Sequence, residues 1–116
     1  MSFLPEPLQI ISRIAPERVT MTVRGEIDMA TAQQFRHEMT DFLSPSAILH
    51  LDLSGVTFMD STGVQAMLVV QRTARLLGGD LVLTRTSPQV ARLVDLMGLR
   101  FQWVATGPPH GAANSA

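Results

Sequence analysis

Four consecutive residues, Asp60-Ser61-Thr62-Gly63, bring a carboxylate, two hydroxyls and a glycine to a point where an apolar segment gives way to a helical pattern. That junction suits a covalently attached anion. The first backbone N–H groups of a helix have no partner within it, and the helix dipole favours negative charge there. A phosphate on Ser61 would therefore be accepted locally without unfolding the chain, and Asp60 would add to the negative charge presented outward. The same residues also read as plain helix architecture. Asp60 or Ser61 would then be an N-cap, and Gly63 a small residue that lets the helix approach a strand closely. Residue types and spacing leave both readings open.

Catalysis fits these residues poorly. A serine nucleophile needs a base such as histidine, and the three histidines are badly placed for it. His37 falls on the polar side of a helical pattern, His50 on a strand and His110 in the C-terminal tail. Asp60-Ser61-Thr62-Gly63 superficially resembles an aspartic-protease triplet with one residue inserted, but those enzymes need two aspartates sharing one site. Cysteine is absent, so there is no thiolate nucleophile, disulfide or cysteine-ligated metal. Gly78-Gly79 is too short for a phosphate-cradling loop and follows a helix instead of opening one. The expectation is a chain that is not an enzyme and needs no cofactor or metal.

The elements that must position Ser61 follow from periodicity. Arg18–Arg24 alternates Val19, Met21 and Val23 with polar residues, the period-two pattern of a half-buried strand. Leu8–Ile14 is a looser strand, and Ala15-Pro16-Glu17 a hairpin turn between the two. Gly25-Glu26-Ile27-Asp28 leads into a first helix, whose Ala32, Phe35, Met39 and Phe42 share one side until Ser44-Pro45 stops it. Ala47–Leu53 reads as a short apolar strand and Ser54–Asp60 as a loop. A second helix then carries Gly63, Met67, Val70, Ala74 and Leu77 on one stripe, widened by Val64 and Leu68, and ends at Gly78-Gly79. Asp80–Thr84 is a strand. Ser87-Pro88 starts a third helix, which buries Val90, Leu93, Val94 and Met97 and closes at Gly98. Phe101–Val104 makes a last short strand.

The predicted order is β-β-α-β-α-β-α-β. Alternation of strand and helix in the second half implies parallel neighbours joined by right-handed crossovers. The fold class expected is α/β: a single domain with one mixed sheet of four to five strands and amphipathic helices packed on it. It spans residues 8–104, after an irregular lead-in at 1–7 and before a disordered tail at 105–116.

Composition agrees. The 116 residues are 46% hydrophobic and 16% charged, enough for one modest core. The formal charge of −1, without a basic stripe, argues against nucleic acid as a direct partner. The apolar run Met67–Val70 is far too short to cross a bilayer, and the N-terminus lacks the pattern of a signal peptide. A cytoplasmic protein without membrane contact, acting as a monomer or a weak dimer, is expected.

Phe58-Met59-Asp60-Ser61-Thr62-Gly63, following Leu51-Asp52-Leu53-Ser54, resembles the hallmark of anti-sigma-factor antagonists, the STAS domain family. Gly25-Glu26-Ile27-Asp28 resembles the family's second signature, and the Ser87-Pro88 helix ending in Met97-Gly98-Leu99 also matches. The resemblance runs from about Leu8 to Val104. It implies a partner switch. The unphosphorylated domain binds an anti-sigma factor that is also a serine/threonine kinase and so releases a sigma factor. Phosphorylation of the serine after the motif's aspartate ends the binding, and a PP2C-type phosphatase restores it. Carried over, Ser61 is the phosphoacceptor, and Asp28, Asp60, Ser61, Thr62 and Gly63 form the partner-binding site. Asp28 reads equally as a cap for the first helix, which is compatible with that role. Asp52 matches a recurring aspartate for which a structural role is expected. Thr62 stays open as a second acceptor.

The same kind of domain also serves as a scaffold or ligand-sensing module in stress-signalling assemblies, which is the alternative reading. Trp103 and the helical methionines are expected to serve packing. Phe58 and Met59 are expected to be buried, but would be partner anchors if Ser54–Asp60 proved exposed.

Overall fold

The computed structural model describes residues 7–15, 18–99 and 101–103. Its elements are β1 (Gln9–Ala15), β2 (Arg18–Ile27), α1 (Ala32–Thr40), β3 (Ile48–Met59), α2 (Ser61–Leu76), β4 (Asp80–Thr86), α3 (Pro88–Leu96) and β5 (Gln102–Trp103). The expected order is the observed one. The hairpin turn at Pro16-Glu17, Val104 and the tail lie outside the described residues, as do the side chain of Trp103 and His110.

One five-stranded sheet runs β1-β2-β3-β4-β5. β1 is antiparallel to β2, and the remaining neighbours are parallel. Each β-α-β crossover steps one strand in the same direction, so right-handed connections place the three helices on one face. On that face the register aligns Val19, Leu49 and Leu81 in one row and Met21, Leu51 and Leu83 in the next. Against these rows pack Phe35 and Met39 of α1, Met67 and Val70 of α2, and Val90 and Val94 of α3, all in one apolar core.

Capping chemistry sets the helix ends. The Ser87 hydroxyl accepts from the Val90 amide at 3.4 Å, with Pro88 as the first helical residue. α2 closes through two bonds, Gly78 N–H to the Arg75 carbonyl at 3.0 Å and Gly79 N–H to the Ala74 carbonyl at 2.9 Å. Gly78 has φ +84°, a conformation in which glycine carries no side-chain penalty.

Four expectations need correction. Ser54–Asp60 is not a loop: β3 continues to Met59, and β2 continues beyond Arg24 to Ile27. The two extensions pair with each other, Glu26 with Phe58 and Ile27 with Met59, after register shifts that insert extra residues of β3. Leu77 does not join the buried stripe. It is the C-cap of α2 and is 39% exposed, because the helix has ended before reaching it. α1 stops at Thr40, short of Ser44-Pro45, so Phe42 packs on the core from a turn. β4 also runs two residues further than expected, to Thr86.

Candidate functional site

β2 and β3 end side by side. Ile27 and Met59 are paired, and the Asp60 amide donates to the Ile27 carbonyl at 3.2 Å. The residue after each strand therefore sits at the same edge of the sheet. This bond brings Asp28 and the Asp60–Gly63 segment together at the carboxyl ends of parallel strands, where open α/β sheets ordinarily place their sites.

Both aspartates are engaged locally. Asp28 Oδ1 accepts from the amides of Ala30 at 2.9 Å and Thr31 at 3.2 Å. The Thr31 hydroxyl accepts from the Asp28 amide and donates to the Glu26 carbonyl, each at 3.0 Å. Asp28 thus ties down the turn into α1, as its capping reading expected, although the formal N-cap is Thr31. Asp60 is the N-cap of α2. Its Oδ1 accepts from the Thr62 amide at 2.9 Å and also receives the Thr62 hydroxyl.

Ser61 stands between these two residues as the first residue of α2 and is exposed. Its hydroxyl makes no hydrogen bond among the described residues. Gly63, one turn in, is fully buried against the strand ends. A Cβ there would lie 2.8 Å from Ile27 Cγ2 and 2.8 Å from Met59 Cγ. The seat of α2 on the sheet is therefore built for glycine.

Phe58 and Met59 split the expectation of burial. Met59 is 6% exposed and joins the core, whereas Phe58, one residue earlier on the alternating strand, is 45% exposed. Asp52 is engaged locally, its Oδ1 accepting from the Ser54 amide at 2.9 Å and hydroxyl at 2.7 Å. His37 is on the outer side of α1. His50 is buried within β3; burial first, and then the charge of Arg18, push its pKa below the ordinary value. Among the described residues neither histidine bonds to Ser61, and no group of three or more histidines and acids is arranged to hold a metal.

The sequence reading missed two features at this end of the molecule. One is a shallow groove of about 240 Å³ between α1 and α2, lined by Ala32, Gln33, Arg36, Thr62, Gln65 and Val69. The other is Met29, which lies fully out in the turn after Asp28. The signal for the groove was Val69, an apolar residue on the polar side of α2.

Among the described residues no helix is long and apolar enough to cross a membrane. The family model of the STAS domain matches residues 8–108. An anti-sigma-B factor antagonist of Bacillus subtilis is 30% identical over 82 residues, covering 71% of this chain and 75% of that protein. Among solved structures, an anti-sigma factor antagonist from Mycobacterium paratuberculosis superposes with a TM-score of 0.77 at 24% identity, covering 97% of this chain and 96% of that one. The Bacillus cell fate determinant SpoIIAA, in its phosphorylated form, superposes with a TM-score of 0.65 at 19% identity, covering 95% and 100%. Both neighbours share the fold described above. With the family model spanning nearly all of the folded chain, and the hallmark residues gathered at one end of the sheet, this chain belongs to the STAS domain family.

Proposed function

We propose that this chain is an anti-sigma-factor antagonist whose binding is switched off by phosphorylation of Ser61. The observation that carries the reading is the contrast between adjacent hydroxyls. Ser61 is exposed and uncommitted at the start of α2, while Thr62 is held by Asp60. A kinase acting here meets one available acceptor. Binding, not catalysis, is then the function. The bound partner is an anti-sigma factor with serine/threonine kinase activity, and a PP2C-type phosphatase restores the binding form.

The docking surface in this reading is built from Asp28, Asp60, Ser61 and Thr62, with Phe58 and Met29 as apolar neighbours; Gly63, expected in the surface, is buried beneath it and only seats α2 on the sheet. A phosphate brings roughly −1.5 to −2 charges at neutral pH into an interface that fitted a neutral hydroxyl. Asp28 and Asp60 stand beside it, so repulsion adds to the desolvation cost. A loss of about 2.7 kcal/mol weakens binding ~100-fold, enough to release a partner held near its dissociation constant.

The test is a pull-down from the source organism's lysate with the wild type, Ser61→Ala and Ser61→Asp as baits. Retention of a small GHKL-type kinase by Ser61→Ala, with its loss by Ser61→Asp, supports the switch. The same proteins on all three baits would sink it and favour a scaffold or ligand-sensing role.

A further inference from the structure

β1 is a sheet edge with little protection. It pairs with β2 over all seven of its residues, from Gln9 with Arg24 to Ala15 with Arg18, without a bulge. Among the described residues nothing pairs with its other side. It contains no proline and a single charge, Arg13, whereas edge strands are ordinarily shielded by prolines, bulges, charges or shortness. Its side chains are equally uncovered. The row Val19–Leu49–Leu81 extends outward to Ile14, but the helices cover the sheet only as far as β2, and Ile14 is 73% exposed. Ile11, on the opposite face, is 58% exposed.

The strand is also self-complementary. Its middle residue is Ser12, and Ile10 and Ile14 stand two residues to either side. In an antiparallel pair related by a twofold axis, residues on one face meet only residues of that same face, so the axis must pass through a residue position. Centred on Ser12, two copies overlap over the whole strand. Ile14 of each copy meets Ile10 of the other, and Arg13 lies across from Ile11. Centring on Arg13 would oppose two guanidinium groups directly. Centring on Ile11 would set Ile10 against Ser12 and leave the end of the strand unpaired.

We propose that β1 pairs with β1 of a second copy of this chain, antiparallel and centred on Ser12, joining two sheets into one. Ser61 lies on α2, which does not pack on β1, so the pairing stands or falls independently of the phosphoacceptor reading.

The experiment uses the full chain. The native sequence has no cysteine, so Ser12→Cys carries a lone thiol. Residues opposite one another in such a pair have Cα atoms about 4.5–5.5 Å apart, within the reach of a disulfide. Sedimentation equilibrium is expected to show a concentration-dependent dimer, weakened ~10-fold or more by Ile14→Lys with an unchanged circular dichroism spectrum. Ser12→Cys is expected to form a disulfide-linked dimer in air faster than Leu76→Cys, whose site on α2 is 81% exposed. A wild type that stays monomeric at about 1 mM overturns the proposal. So does a Ser12→Cys that crosslinks no faster than Leu76→Cys. Faster crosslinking through Ile11→Cys than through Ser12→Cys overturns the register.

Discussion

Asp60 holds Thr62 twice, accepting its backbone amide at 2.9 Å and its hydroxyl as well, while the Ser61 hydroxyl between them has no partner among the described residues. One carboxylate thereby separates two adjacent hydroxyls into a structural and an available one. The aspartate of the motif serves the fold, by starting α2 at a fixed place, and that fixed start leaves Ser61 exposed.

Removing the cap should cost stability. Asp60→Ala is expected to destabilise the fold by about 1 kcal/mol, the usual worth of an N-cap side chain. Thr62→Val introduced into that background should cost less than it does alone, because its hydroxyl has already lost its acceptor. Urea unfolding of the four proteins in the cycle checks both. Additive losses would show that the Asp60–Thr62 bond contributes nothing.

Gly63 and Gly79 should both resist alanine, and unequally. At Gly63 the added methyl meets two buried side chains, Ile27 and Met59, at 2.8 Å, and no backbone. Overpacking of that kind costs roughly 1–3 kcal/mol, offset by up to about 1 kcal/mol of helix propensity. At Gly79 the methyl would lie 1.8 Å from the Ala47 carbonyl oxygen, which is backbone and cannot step aside. The expected order of thermal stability is wild type, then Gly63→Ala, then Gly79→Ala. A reversal would mean that the α2–β4 turn is looser than described.

Phe58 and Met59 should separate binding from folding. Met59 is in the core and its truncation to alanine is expected to cost roughly 2–4 kcal/mol. Phe58→Ala, at a half-exposed position, should leave stability within about 1 kcal/mol of wild type yet weaken the anti-sigma partner several-fold. Calorimetric titration alongside thermal unfolding reads the two effects separately. An unchanged affinity in Phe58→Ala would remove that side chain from the docking surface.

His50 should make the fold acid-sensitive. Its folded-state pKa lies below the ordinary 6.5, through burial and then the charge of Arg18, and its buried Nδ1 has no partner among the described residues. A depressed pKa means that the unfolded chain takes up the proton more readily. The contribution is therefore complete above about pH 6.5 and declines as the pH falls from there toward the folded pKa. His50→Leu removes the titration and the unpartnered nitrogen together, and is expected to flatten the stability profile below pH 6.5. Equal acid slopes in the two proteins would assign the sensitivity to other groups.

Much of this was readable from residues alone, for identifiable reasons. Ser87-Pro88 and Gly78-Gly79 announce helix ends because capping and left-handed turns demand those types locally. The segment Ser54–Asp60 was misread because Ser54-Gly55 is a strong turn signal, whereas Val56, Thr57 and Phe58 favour a strand. Pairing with the far end of β2 decided the contest, and no local pattern contains that partner. The motif Asp60–Gly63 could be found from residue types alone, because an N-cap aspartate and a small residue at a helix start are local features. The groove beside it did not show, since it needs Arg36 of α1 to stand next to Thr62 and Gln65 of α2, a relation between helices far apart in sequence.

The monotonic strand order has a consequence for how the chain is made. Every strand hydrogen-bonds to the one that precedes it, so no strand waits for a later segment to be inserted between it and its neighbour. The parallel pairings each close across a helical crossover, Val19 with Leu49 and Leu49 with Leu81, so they form more slowly than the β1–β2 hairpin. During synthesis, β1 through β4 can assemble before β5 emerges, with α2 packed chiefly on α1 and β4. The domain grows in one direction, with its motif helix seated before its final strand exists.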